Sequence, residues 1–239
     1  MQQRQRNKPT GEKRAVIAIG GSIVYPDEIN VVFLKKFVSY IKKQVRKGYK
    51  FVFVIGGGKV CRKYQKAGGE IVRLRATEKD MIGIAVSRLN AYFVKTLFKN
   101  LAEKALFDSR RKFTGFRKKP IIIACGWEPG GSTDLDAIFV AIDFGLKETI
   151  ILGNTPYVYT ADPEIDKNAK PLTNLTWKEY FNFVPKKWTP GLHSPVDPVA
   201  SKIARDNKLK VIVSDGDFSN LTKILENKKY RGTLISDGQ

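Results

Sequence analysis

Glycines placed directly after apolar runs, with charged residues close behind them, are the part of this sequence best suited to chemistry. The run 50–55 leads into Gly56-Gly57-Gly58-Lys59 and then Arg62, and 15–19 leads into Gly20-Gly21-Ser22. The run 120–125 leads into Gly126 and then Gly130-Gly131-Ser132-Thr133-Asp134, and 148–152 leads into Gly153-Asn154. Without a Cβ in the way, backbone N–H groups can approach an anion, and a helix N-terminus or a nearby cation lowers the energy of its charge. Phosphate binding and transfer fit that pattern. A single turn of this kind is often only structural, and it is the repetition that carries the reading.

If each apolar run is a strand of one parallel sheet, all these turns fall on its carboxyl edge and can converge on one long, charged ligand. The rest of the pattern agrees. A helix is predicted from Pro26-Asp27-Glu28 through about Lys47, with Val31, Leu34, Phe37, Val38, Ile41 and Val45 at helical spacing and Gly48 as its stop. Strand, helix and strand then make one right-handed β-α-β unit. Helices are further predicted over 60–67, 81–100, 134–145, 197–207 and 220–228, and strands over 120–125, 149–152 and 209–213. Gly68-Gly69 reads as a loop, and Thr77 with Asp80 as the cap region of the long helix. That helix carries Ile82, Ile84, Ala85, Leu89, Phe93, Leu97 and Leu101, an apolar face for the core or for a partner subunit. The fold class expected is α/β, a three-layer α/β/α sandwich with a mostly parallel central sheet. Residues 1–13 read as a basic flexible tail before one domain over 14–239.

Composition narrows the partners. At 239 residues and 42% hydrophobic, the chain can bury a full core, and no apolar stretch approaches the roughly 20 residues of a membrane span. The stretch 1–14 lacks the apolar centre of a signal peptide, so a cytoplasmic protein is expected, with no membrane partner. Cys61, Cys125 and the single His193 make no metal cluster, so no protein-held metal is expected and both cysteines read as reduced core residues. The formal charge of +20 implies an anionic ligand, nucleic acid or an acidic partner. Basic residues are scattered over Arg4, Arg6, Lys8, Lys13 and Arg14, over Lys35, Lys36, Lys42, Lys43, Arg46 and Lys47, and over 110–119. None is interleaved with aromatics as in RNA- or DNA-binding modules, so nucleic acid is permitted but not favoured and most of the charge reads as solvated surface.

Several motifs, in order, resemble the amino acid kinase family over nearly the whole chain, and within it the archaeal-type uridylate kinases. They are Ile19-Gly20-Gly21-Ser22, Gly56-Gly57-Gly58-Lys59 with Arg62 and Tyr64, Asp80-Met81-Ile82-Gly83, Ser87-Arg88-Leu89-Asn90-Ala91, Pro129-Gly130 with Ser132-Thr133-Asp134, Tyr159-Thr160-Ala161-Asp162-Pro163, and Asp197-Pro198 with Lys202. The resemblance implies ATP-dependent phosphorylation of UMP to UDP in pyrimidine nucleotide synthesis, with magnesium and a homohexamer built from dimers. It implies an acceptor-binding part at about 14–147 and an ATP-binding part at about 148–239. By the same resemblance Gly21, Ser22, Gly58, Arg62, Asn154, Tyr159 and Asp162 bind ATP. Gly57, Asp80, Gly126, Trp127, Glu128, Pro129, Gly130, Gly131, Ser132 and Thr133 hold UMP. Arg62, Lys59, Asp134 and Lys202 serve catalysis.

The chemistry is consistent with the residues. An acceptor phosphate with a second pKa of about 6 is mostly a dianion at neutral pH, so transfer needs positioning and cations rather than a general base. Bland roles remain open for single residues: Asp80 and Asp134 as helix caps, Lys202 as surface, His193 as a loop residue. The chain departs from the family in four ways. Ala18 stands where many members carry a lysine, 153–159 lacks an acidic residue and a glycine, Trp127-Glu128 enters the acceptor loop, and the basic tail with its high net charge is extra. A kinase of another small anion (a carbamate, an acylglutamate or an isoprenoid phosphate) is the alternative within the enzyme class. A catalytically weak nucleotide- or oxyanion-binding protein is the alternative outside it.

Overall fold

The computed structural model describes residues 12–113, 115–184 and 194–237. Most of the basic tail, residues 1–11, and His193 lie outside them. In chain order the elements are β1 (Arg14–Ile19), α1 (Gly21–Val24), α2 (Val31–Arg46), β2 (Lys50–Ile55), α3 (Gly58–Ile71), α4 (Ala76–Phe98), β3 (Ile121–Ala124), α5 (Thr133–Asp143) and β4 (Glu148–Gly153). They continue with β5 (Val158–Tyr159), β6 (Pro171–Leu172), β7 (Asn174–Leu175), α6 (Trp177–Tyr180), α7 (Pro198–Asp206), β8 (Lys210–Asp215), α8 (Phe218–Leu225) and β9 (Thr233–Ile235).

One seven-stranded sheet runs in the order β3-β2-β1-β4-β8-β9-β7. Its neighbours are parallel except β8 and β9, which are antiparallel. The two-residue period of the strands divides the core. Ile17, Ile19, Phe51, Phe53, Ile55, Ile121 and Ile123 face one layer, with Phe37 and Ile41 of α2, Val94 and Phe98 of α4, and Leu221 and Ile224 of α8. Val16, Ala18, Val52, Val54, Ile122 and Ala124 face the other, with Ala137 and Ala141 of α5 and Ala200 and Ala204 of α7. The expected three-layer sandwich is the fold observed. Among the described residues no helix is long and apolar enough to cross a membrane.

Several local expectations give way to tertiary packing. Helix α2 starts at Val31 rather than at Pro26, because Asn30 caps it by accepting from Phe33 N at 3.0 Å. Gly68 and Gly69 lie inside α3, where a Cβ on Gly68 would stand 2.8 Å from Leu74 Cδ1, so close packing rather than a turn uses the absent side chain. Helix α4 starts at Ala76, with Glu78 Oε2 accepting from Arg75 N at 2.7 Å, so Thr77 and Asp80 lie within the helix rather than capping it. Its core face is Val86, Asn90, Ala91, Val94 and Phe98, while Ala85 and Leu89 of the expected stripe are exposed. The proline-rich segment adds the short β5/β6 pair.

Candidate active site

The glycine turns after β1, β2 and β3 meet at the carboxyl edge of the sheet, where they border a cleft of about 310 Å³. Two of them touch. A Cβ on Gly21 would collide with Gly58 N, and one on Gly58 with Gly21 O. Gly58 also holds φ +70, so glycine is needed there for conformation as well as for space. Asn90 of α4 fixes the second turn from behind, its Nδ2 donating to Gly56 O at 2.9 Å and Gly57 O at 3.2 Å. Ser22 Oγ donates to Asn154 Oδ1 at 3.2 Å, joining the turn after β1 to the one after β4.

Helical phase decides which neighbours of these turns reach the cleft. On α3, Gly58, Cys61, Arg62 and Gln65 line it, at spacings of three and four residues. Lys59 is one residue, about 100°, off that stripe by helix geometry. It is turned out into an ion pair with Asp27 at 3.1 Å. On α4 the same rule brings Asp80, Gly83, Ile84 and Ser87 to the cleft. Lys202 is exposed on α7, one position past the inward Ala200 and Ser201, and does not line it. Arg62 is the only cation among the described lining residues, and it makes no ion pair among them. Ala18 is buried against α5 and contributes no charge.

Four carboxylates face this one cation: Asp80, Glu128, Asp134 and Asp136. Asp80 Oδ2 accepts from Gly130 N at 3.0 Å, and burial raises its carboxyl above the usual value. Asp134 does not cap α5. Ser132 does, its Oγ accepting from Asp134 N at 3.1 Å. Ser132 Oγ is also bonded to Asp197 Oδ2, and Asp197 caps α7, accepting from Val199 N at 2.7 Å and Ala200 N at 2.8 Å. Burial, and then the charge of Asp197, pushes Asp134 up to about 8. Asp136 is raised well above the carboxylate range, by burial first and then by Asp197, Asp134 and Glu128. The two cysteines are buried and free, with burial pushing the Cys125 thiol up to about 11.

Gly21, Ser22, Gly57, Gly58, Arg62, Asp80, Gly126, Glu128, Gly131, Ser132, Thr133, Asp134 and Asn154 therefore border one cleft. Trp127 does not. Its ring packs against Phe107 at 5.5 Å, because the residue after Gly126 points back into the second core layer. Pro129 and Gly130 are exposed beside the cleft. Tyr159 sits in β5 against Tyr157 at 6.1 Å, and Asp162 Oδ1 accepts from Glu164 N at 2.9 Å in its own turn. Neither borders the cleft. Sequence reasoning missed Gln65, Ile84 and Ser87 as lining residues, although helical spacing from Arg62 and Asp80 pointed to them. It also missed Asp136, which no spacing signalled.

A mostly parallel sheet covered on both faces, with glycine turns converging on a cleft at its carboxyl edge, is the architecture of α/β proteins that bind phosphorylated ligands. The chain belongs to the amino acid kinase family, whose model matches residues 13–215. It is 30% identical over 223 residues to a uridylate kinase of Hyperthermus butylicus, covering 92% of this chain and 97% of that protein. It is 32% identical over 228 residues to a uridylate kinase of Thermococcus kodakarensis, covering 93% and 99%. The crystal structure of uridylate kinase from Archaeoglobus fulgidus superposes with a TM-score of 0.78 at 26% identity, covering 93% of this chain and all of that one.

Proposed function

We propose that this protein transfers the γ-phosphoryl group of ATP to UMP, giving UDP for pyrimidine nucleotide synthesis. The observation that carries it is a single cleft bordered by the touching glycine turns, Arg62, Asp80 and residues of the 126–133 loop, in a chain whose relatives are uridylate kinases. In this reading the N–H groups of the turns 20–22 and 56–58 hold the donor phosphates, and Ser22 and Asn154 close that end. Asp80 accepts from the ribose of UMP, and Gly126, Glu128 and Gly131 wall its base. Residues 14–147 then carry most of the acceptor side and 148–239 most of the adenosine side, and a cytoplasmic location accords with both. Lys59 and Lys202 are left to the surface, and Tyr159 and Asp162 to the rim.

Transfer brings two polyanions together, and one arginine does not balance them. The excess of carboxylates in the cleft fits a hard cation arriving with the nucleotide, since such ions are held by one or two carboxylates together with substrate phosphates. Among the described residues no group of three or more candidate ligands is placed to hold a metal by itself. Asp134 is the residue that would hold Mg²⁺ against the nucleotide. Bound there, the ion would neutralise charge on the phosphate oxygens. Arg62 donates to an equatorial oxygen of the moving group, and the glycine N–H groups keep attacking and leaving oxygens in line. A coupled assay of ADP release with UMP, CMP, dUMP, AMP and carbamate tests the reading: UMP is the preferred acceptor, and turnover with carbamate alone would overturn it.

Asp80→Ala is expected to raise the KM for UMP about fivefold or more and to leave that for ATP nearly unchanged. Removing a ligand-facing acceptor typically costs about 1–3 kcal/mol. The same kinetic comparison reads out the opposite case, in which ATP binding or melting temperature moves instead.

We further propose a homo-oligomer. Tyr64, Ile71, Val72, Met81, Leu89 and Tyr92 are exposed on α3, on the residue after it and on α4, which pack together. Large apolar side chains gathered on one face usually mark a subunit contact. Leu89→Glu is expected to shift the protein to a smaller species in sedimentation, and an unchanged mass would remove α4 from the interface.

A further inference from the structure

Positive charge is the property that the cleft leaves unexplained, since only Arg62 serves it among the described lining residues. In the sequence the basic residues are scattered, but the topology gathers them. Strands β1, β2, β3, β4 and β8 are mutually parallel, so their first residues share one edge, opposite the glycine turns. A cation opens or precedes each of them: Lys13, Lys50, Lys119, Lys147, and Lys208 with Lys210. Backbone bonds tie these starts side by side, with Lys50 N donating to Lys13 O at 2.8 Å, Phe51 N to Pro120 O at 2.8 Å, and Lys210 N to Lys147 O at 2.9 Å. Strands about 4.8 Å apart set such cations in a row about 20 Å long.

Acidic residues offset only part of this row. Glu12 pairs with Lys50 at 2.7 Å, Glu226 pairs with Lys228 at 2.7 Å, and Glu148 stands opposite Lys210 in the strand register. Lys118, Lys119, Lys147 and Lys208 take part in none of the ion pairs among the described residues, although Glu103 Oε1 stands beside the backbone of Lys119 and accepts from its N at 2.9 Å. Lysines in the last turn of a helix stabilise its dipole, which accounts for Lys43 and Arg46 in α2. It does not account for Lys118, Lys119 and Lys147, which lead into strands.

The character of this edge also excludes some partners. Of the exposed large apolar residues, only Phe183 lies close in sequence to an element that meets this edge, α6, whose Trp177 Nε1 donates to Leu209 O at 3.3 Å. Rings at this edge are turned inward: Tyr49 lies under Lys13 Nζ at 5.2 Å with its hydroxyl donating to Leu225 O at 2.9 Å, Phe116 packs edge-on to Phe144 at 5.4 Å, and Trp177 is fully buried. Single-strand platforms stack bases on exposed aromatics, and membrane-surface helices insert apolar side chains. A rigid row of cations without either suits a stiff polyanion. A double helix carries about one negative charge per 1.7 Å of axis.

We propose that the amino edge of the sheet is a docking surface for the phosphate backbone of double-helical nucleic acid, engaged without reading bases and on the far side of the sheet from the cleft. The full chain is titrated, by fluorescence anisotropy, with a duplex of about 20 base pairs and with a single strand of the same length at several salt concentrations. The duplex binds more tightly, and log affinity falls linearly with log salt. Lys118→Glu with Lys147→Glu weakens duplex binding at least about tenfold and makes the salt slope shallower by about 0.9 for each phosphate that is no longer neutralised. Lys36→Glu with Lys66→Glu, an equal change of net charge on α2 and α3, weakens it less than about threefold. Melting curves show that the variants fold, and Lys118→Gln with Lys147→Gln repeats the test if the reversed pair does not. Equal losses in the two double variants, tighter binding of the single strand, or no duplex binding at about 0.1 M salt would each overturn the proposal.

Discussion

Arg62→Ala is expected to lower turnover about a hundredfold in a protein that still melts cooperatively near the wild-type temperature. The size follows from its isolation. It is the only cation among the described residues lining the cleft, and Ala18 supplies none from β1. Removing one preorganised donor to a charge that grows in the transition state typically costs about a hundred- to a thousandfold. The loss should fall on kcat more than on either KM, and Arg62→Lys should recover only part of it, since an ammonium cannot reproduce the planar fork of donors. Full activity in folded Arg62→Ala would move the catalytic charge elsewhere in the molecule.

Asp134→Asn is expected to act in opposite directions on activity and on stability. Turnover falls about a hundredfold or more, because asparagine cannot release a proton to give the carboxylate that would meet the cation arriving with the nucleotide. Stability without ligand rises at alkaline pH. The sign follows from the raised pKa. Asp134 moves from the ordinary 3.8 to about 8 on folding, so the native state holds its proton more tightly than the unfolded chain. The stability this contributes is complete below about pH 4 and is lost as pH climbs through 8. Wild-type protein without ligand should therefore lose melting temperature between pH 5 and pH 9, and the asparagine variant should lose less. Asp136 and Glu148 are shifted in the same direction, so some slope remains. Magnesium with nucleotide should raise the wild-type melting temperature most at high pH and the variant's little. Parallel pH curves for the two proteins would remove Asp134 as the source.

Most of the fold was legible because apolar runs ending in glycine have few physical alternatives. A run such as Phe51-Val52-Phe53-Val54-Ile55 is buried on both faces in the structure, and both core layers need it. Arg62 was legible for a related reason, since it stands four residues past a turn that topology must bring to the carboxyl edge, whereas Asp80 was legible only through the family resemblance. The misreadings share one cause. Gly68 is a helix breaker by propensity, yet packing against Leu74 keeps it inside α3. Leu89 and Ala85 fit an apolar stripe as well as Val86 and Val94 do, and only the position of the sheet decides which stripe is buried.

The sequence by itself determined the strand and helix grammar, the parallel sheet, the glycine turns and the kinship that these motifs carry. All of these depend on residues near one another in the chain, through periodicity, backbone freedom and capping. Tertiary structure alone decided which residues share a cleft and which share a surface. One step of about 100° along α3 sends Arg62 inward and Lys59 outward, a difference that has no meaning until the helix is docked. The half-buried carboxyl of Asp134 and the buried one of Asp197 meet only when α5 and α7 are brought together, with Asp197 N donating to Asp134 Oδ2 at 3.4 Å. Lysines from distant parts of the chain line up at one edge because parallel strands all start on the same side, and charge acts through distance in space rather than through position in sequence.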